Sequence, residues 1–176
     1  MPGITDSIRT AFGRDRGLAE RALEQLSDEE LVASGPGGAN SIATIVWHMG
    51  ANLESRFTDF LTTDGEKPWR EREEEFLPRH VTRPVLMDRW NAGWTCLDNS
   101  LDPLDDADLS RTVHIRNEPM TVADALMRAL AHAAYHVGQI VYVARGVRGG
   151  EWQWLSIAPG GTEAFNRKME ERFRGG

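Results

Sequence analysis

The segment TVADALMRALAHAAYHVGQIVYVARG, residues 121–146, constrains the fold more than any other part of the chain. Leu126, Ala129, Ala133, Val137 and Ile140 recur at the three- and four-residue spacing of one helix face. Thr121 and Asp124 form a capping pattern at its start, and Gly146 is the expected C-cap. A stripe of that length is buried only against other helices, and three more blocks supply them. A block over about 5–26, with Ile4 just ahead of it, carries Ile8, Ala11, Leu18, Ala22 and Leu26 on the same face, although Gly13 and Gly17 weaken the block enough to permit a kink. The second block starts from Asn40 or Ser41 as N-cap and runs to about residue 61, with Ile42, Ile45, Val46, Met49, Leu53, Phe57, Phe60 and Leu61 as its stripe. In the third, 84–101, Pro84 suits the first turn, and Leu86, Trp90, Gly93, Trp94, Leu97 and Leu101 line one face. The expectation is an all-α chain: a four-helix bundle forming a single domain over 1–176.

Smaller features fill the gaps. LSDEEL, with Ser27 and Glu30 in capping-box spacing, predicts a short extra helix, and SGPGGANS is a loop. SRTVHIRNEPMT, residues 110–121, alternates around a turn-like RNEP and predicts a small hairpin before the last bundle helix. A short helix is expected over 162–172. The 23-residue polar connection 62–84 is long for a compact domain, so it either crosses over the bundle or borders a site. Its charge run, Arg70 to Glu75, reads as a solvated face.

Charge and composition exclude several functions. A net charge of −7 argues against nucleic-acid binding, which needs a basic stripe, and against docking on an anionic membrane surface. No apolar run approaches the roughly 18 residues of a membrane span, and the first residues lack the apolar stretch of a signal peptide. Cys96 is the only cysteine, so no internal disulfide forms, and a cytoplasmic location is expected.

The chemistry lies in the histidines. His132 and His136 are four residues apart on a helix, hence on one face and one turn from each other, the spacing at which two imidazoles share one metal ion. His48, in NSIATIVWHMGANLESRF, sits at the edge of the second block's apolar stripe. A buried imidazole there needs a partner, and a metal supplies one for all three. Three histidines from two helices leave coordination positions open, the layout of a catalytic site. A coordinated thiol would serve an S-transferase and a coordinated hydroxide a hydrolase; the ligands alone do not choose. Asn52 and Arg56 follow His48 at four-residue steps, and Gln139 lies three after His136. Asn52 or Gln139 is placed to hold a ligand's second ring nitrogen or a water, and Arg56 a substrate carboxylate. No residue is assigned a catalytic role. Trp47 and Tyr135 read as packing residues, Trp152 and Trp154 as core or interface, Cys96 as a buried core thiol, and His80 and His114 as surface residues.

VWHMGANLESRF on the second helix and LAHAAYHVGQIVYVAR on the fourth resemble the DinB/YfiT-like superfamily over roughly residues 5–146. The shared pattern is one His on the second helix, then H-x-x-x-H followed by Gly-Gln on the fourth. The tail WLSIAPGGTEAFNRKM looks like one branch of that superfamily without an assigned reaction. The resemblance implies an up-down-down-up bundle, a divalent metal such as zinc or nickel on His48, His132 and His136, and a homodimer. It implies, for members with known activity, thiol-dependent S-transfer using bacillithiol or mycothiol, or a mycothiol-dependent isomerisation. The expectation drawn from it is a low-molecular-weight-thiol S-transferase acting on a small-molecule substrate in detoxification or stress response. A metal-dependent hydrolase and a non-catalytic dimeric metal- or ligand-binding stress protein are the alternatives. Nothing in the sequence identifies the thiol.

Overall fold

The computed structural model describes residues 3–174; positions 1, 2, 175 and 176 of the expected domain lie outside the described residues. The elements are α1 (Ile4–Leu23), α2 (Asp28–Val32), α3 (Ile42–Phe57), α4 (Arg83–Leu101), β1 (Thr112–Ile115), β2 (Glu118–Thr121), α5 (Val122–Arg148) and α6 (Thr162–Phe173), with 3-10 turns between them.

Local chemistry explains most of the boundaries. Oγ of Ser41 accepts from the Thr44 N–H at 3.1 Å to start α3, and Oγ1 of Thr121 accepts from the Asp124 N–H at 3.0 Å to start α5. The first turn of α1 is capped from a distance. The Asp106 carboxylate accepts from the N–H groups of Ile4 and Thr5 at 3.0 and 2.9 Å and from the Thr5 hydroxyl at 2.9 Å. Three expectations need correcting. Helix α3 stops at Phe57, short of residue 61, because Thr58 turns out of the helix with ψ 122° and Asp59 follows with a positive φ of 49°; Phe60 is buried all the same. Helix α5 runs past Gly146, placing Val147 against the core, and ends at Gly149, whose φ of 54° favours glycine. Gly13 and Gly17 do not break α1, and its buried face is Thr5, Phe12, Ala19, Ala22 and Leu23, whereas Ile4 is exposed. Phe12 sets that face by meeting Trp94 of α4 edge-on, with ring centroids 6.3 Å apart.

Helix α3 packs most extensively on α4, and α1 on α5; α3 also packs on α5, and α1 touches α4 lightly. Around the bundle the order is therefore α1, α5, α3, α4, with the consecutive helices α1 and α3 making little direct contact. Two glycines set the α3–α4 spacing. A Cβ on Gly93 would lie 2.5 Å from the Gly50 carbonyl oxygen, and one on Gly50 would lie 2.5 Å from that of Arg89. These two neighbours run parallel, Gly50 meeting Gly93 and the Phe57 carbonyl accepting from the Ser100 hydroxyl at 2.6 Å, so the 62–84 connection returns along the length of the bundle; its Glu73–Phe76 turn packs on α3 on the way.

The hairpin forms as expected, β1 pairing antiparallel with β2 from Thr112↔Thr121 to Ile115↔Glu118. Its two-residue turn, Arg116 and Asn117, takes positive φ values of 56° and 62°. The turn is clipped to the long connection, because Asp64 accepts from the N–H groups of Arg116 and Asn117 at 2.8 and 2.7 Å. The Gly65 N–H donates to the His114 carbonyl at 2.8 Å. Among the described residues no helix is long and apolar enough to cross a membrane.

Candidate metal centre

Helices α3 and α5 bring three imidazoles together. Nε2 of His132 lies 3.4 Å from Nε2 of His48 and 3.2 Å from Nε2 of His136. One ring nitrogen from each falls within 4.8 Å of the other two, and among the described residues no fourth metal-ligating side chain joins the group. His48 is buried; His132 and His136 are half-buried. For comparison, nitrogens about 2.0–2.1 Å from one zinc ion at tetrahedral angles lie roughly 3.3–3.4 Å apart.

The outer nitrogens fix the tautomers. Nδ1–H of His48 donates to Oε2 of Glu75 at 2.7 Å, and Nδ1–H of His136 donates to Oε1 of Gln139 at 2.8 Å. Both rings therefore aim an Nε2 lone pair at His132. A proton on Nε2 of His132 serves one of them, so at least one lone pair has no donor within the protein. A cation between the three satisfies every lone pair. The donor set of three neutral imidazoles suits zinc, nickel or a similar divalent ion.

Glu75 is itself held on both oxygens. Arg70 donates from Nε to Oε1 at 2.7 Å and from Nη2 to Oε2 at 2.9 Å, and both side chains are almost fully enclosed, at 2% and 4% exposure. Phe76 lies on the His48 ring with centroids 4.7 Å apart. The Arg70–Glu75 run is thus not simply a solvated face. Residues 71–74 are exposed, but the two ends turn inward as an ion pair behind the first histidine.

Burial raises the Glu75 carboxyl, but hydrogen bonds and charge from Arg70 and His48 outweigh it and hold it below the usual carboxylate range. Burial also pushes His132 down to about 3, helped by His136, His48, Arg70 and Arg56. His136 is lowered by burial against the opposing hydrogen bond from Gln139. His132 and His136 are therefore neutral at physiological pH, and a metal need not displace protons from them.

The cluster forms one wall of a cavity of about 400 Å³, lined also by Asn52, Arg56, Phe57, Phe60, Ile115 and Tyr135. A larger groove of about 570 Å³, between the end of α1 and the segment after α5, is lined by Arg21, Gln25, Arg148 and Trp154 and contains no histidine. Of the residues singled out in the sequence, Gln139 holds His136, and Asn52 lines the cavity. Arg56 also lines it, with its guanidinium donating to the Gly65 carbonyl and, at 2.9 Å, to Oε2 of Glu66. Tyr135, expected to pack away from the site, stands at its mouth with its ring 5.0 Å from that of His136 and 63% exposed. Trp47 lies outside the cavity, under Arg79 and Arg89. His80 and His114 are exposed. Trp152 packs against the core, while Trp154 is partly exposed beneath Arg145. Cys96 is half-buried rather than core, beside the Thr58 hydroxyl at 3.5 Å, and burial raises its thiol pKa, which does not favour a thiolate. Glu75, Arg70 and Phe76 were missed. The signal for them is a physical requirement more than a motif: a buried imidazole ligand needs an acceptor for its second nitrogen.

Residues 4–161 match the family model described as "Protein of unknown function (DUF1572)". No curated protein matches the sequence. Among solved structures, the chain is similar to a conserved protein from Enterococcus faecalis, with 22% identity and a TM-score of 0.64 over 85% of this chain and 99% of that one. At that identity the likeness establishes a common fold.

Proposed function

We propose that this chain, which belongs to the DUF1572 family, is a divalent-metal-dependent enzyme of the DinB-like kind, transferring a low-molecular-weight thiol to a small electrophilic substrate. One observation carries the reading: the Nε2 atoms of His48 and His136 lie 3.4 and 3.2 Å from that of His132, at the wall of a cavity. A structural site closes with four protein ligands, whereas a three-ligand site in a cavity leaves a position for a reactant.

A divalent ion held by three neutral imidazoles keeps its positive charge and draws the pKa of a coordinated water or thiol toward neutrality. The chain's own residues prepare the rest. Glu75 and Gln139 fix the orientations of His48 and His136 through their Nδ1–H groups. Asn52 and Arg56 line the cavity, in position to orient polar groups of a reactant. Phe57, Phe60 and Phe76 limit the access of water. In the overall reaction, the thiol sulfur bonds to the electrophilic carbon, the bond from that carbon to its leaving atom breaks, and the thiol proton ends on the leaving atom.

The reading includes a single up-down-down-up domain over 1–176, working as a homodimer on a cytoplasmic thiol pool. The ring order α1, α5, α3, α4 supports that topology. The test is thiol-dependent turnover. The zinc- or nickel-loaded protein, given bacillithiol or mycothiol, should conjugate monochlorobimane or open a small epoxide. Ester or amide hydrolysis without added thiol would favour a hydrolase. Metal binding without turnover of either kind would favour a non-catalytic binding protein.

A further inference from the structure

The chain carries 27 acidic and 20 basic residues, yet the wall of the histidine cavity reverses that balance. Arg56, Arg70, Arg72, Arg116 and Arg128 line it, and no aspartate or glutamate does. Arg70 is neutralised by Glu75 on two oxygens, so it serves the histidine wall. Arg72 is paired with Glu73 at 2.9 Å, whereas Arg56, Arg116 and Arg128 are less evenly matched. Arg56 and Arg116 share one carboxylate oxygen, Oε2 of Glu66, at 2.9 and 3.0 Å, leaving two guanidinium groups against one charge. Arg128 reaches Glu118 only at 3.3 Å and is half exposed.

Backbone strain adds an independent observation. Arg116 takes φ 56° in a tight turn, a place where Asn, Asp and Gly are at ease and a long side chain is not. Strain of this kind persists where the side chain's position is worth holding. Here it places a guanidinium at the cavity, whose lining also includes the apolar Phe57, Phe60 and Ile115.

We infer that the site takes a reactant with an anionic head, a carboxylate or a phosphate, held by Arg56, Arg116 and Arg128, with its apolar body against Phe57, Phe60 and Ile115. This rests on the metal-centre reading for which end of the reactant meets the histidines. The planar guanidinium fork suits both kinds of oxyanion.

The test is calorimetric titration of the zinc-loaded protein with 3-phenylpropanoate, phenyl phosphate and the neutral 3-phenylpropanamide. The anionic probes should bind at least about tenfold tighter than the amide, as one charge-assisted hydrogen bond suffices to give. The tighter of the two names the head group. Arg116→Asn combined with Arg128→Gln should remove most of that preference while zinc content stays unchanged. Arg116→Asn alone should have a Tm equal to or above wild type, because it relieves the turn. Equal binding of the amide, no binding of any anionic probe, or a preference that survives the double substitution would overturn the inference. The same titrations on His132→Ala/His136→Ala separate the two readings. A preference retained there supports the arginines, and one lost there makes the anion a ligand of the metal and overturns their role. Failure of the metal reading would instead appear as a wild type that binds no zinc yet still prefers the anions.

Discussion

Oε2 of Glu75 accepts a hydrogen bond from Nδ1–H of His48 at 2.7 Å, across 27 positions of sequence, with both side chains enclosed at 4% and 5% exposure. This contact ties the long connection after α3 to the metal centre. Glu75→Ala removes the acceptor and strands Arg70 as a buried unpaired charge, a loss of about 3–5 kcal/mol. Glu75→Gln keeps an acceptor of the same shape. The expected order in zinc affinity is wild type, then Gln, then Ala, with Ala weaker by about 10–100-fold. Chelator competition and thermal melting of the three proteins check it.

Gln139 offers the milder version of the same test. It is half-buried, and its Oε1 accepts from Nδ1 of His136 at 2.8 Å. Gln139→Ala should lower metal affinity by about tenfold. Its cost in stability should stay within the roughly 0.5–1.5 kcal/mol of one ordinary hydrogen bond. A variant that melts like wild type and binds zinc as tightly would show that the contact does not tune the ligand.

The α3–α4 spacing is set at Gly93, where a Cβ would lie 2.5 Å from the Gly50 carbonyl oxygen. Alanine gains about 1 kcal/mol in helix propensity. The clash is with backbone and cannot be relieved by a rotamer, so the helices must separate, at about 1–3 kcal/mol or more. Gly93→Ala should therefore lower Tm by several degrees, a net 1 kcal/mol corresponding to about 2–4 °C in a chain of this size. Gly13→Ala, where nothing lies within 4 Å, is the control and should raise Tm slightly.

Asp64 fastens the hairpin through the N–H groups of Glu66, Arg116 and Asn117. Burial is the largest single influence and raises its pKa, but the three donors and the Lys67 charge together outweigh it and hold it below the ordinary value. A depressed folded pKa stabilises the protein above the unfolded value, about 3.9, and that stability fades as pH falls through the folded one. Asp64→Ala should thus melt below wild type at pH 7, with the gap closing below about pH 4. Melting curves of both proteins at several pH values measure it.

The sequence revealed what is periodic and local. The face of α4 was legible as Leu86, Trp90, Gly93, Trp94, Leu97 and Leu101 because each spacing is a helical step, and all six are buried. Helix α1 misled because Ile4 and Ala11 share a plausible stripe, while the residue that meets α4 is Phe12, one position along. The hairpin was legible from its alternation, although Arg-Asn is an unusual turn pair. His48, His132 and His136 stood out because polar rings interrupt apolar stripes. Glu75 did not, since one glutamate in a run of charges carries no local sign of burial. Its partner lies in another element, and only the fold brings them together. Tyr135 was misjudged for a similar reason: sequence neighbours on a helix diverge, but a cavity mouth is wide enough to include both.

The central claim is that His48, His132 and His136 hold one divalent ion. Inductively coupled plasma mass spectrometry of untagged protein, beside His132→Ala/His136→Ala, tests it most directly. The account predicts about one zinc, nickel or similar ion per chain in the wild type and none in the variant, with both proteins folded by circular dichroism. A wild type that arrives without metal and takes up no added zinc, nickel or manganese would contradict it.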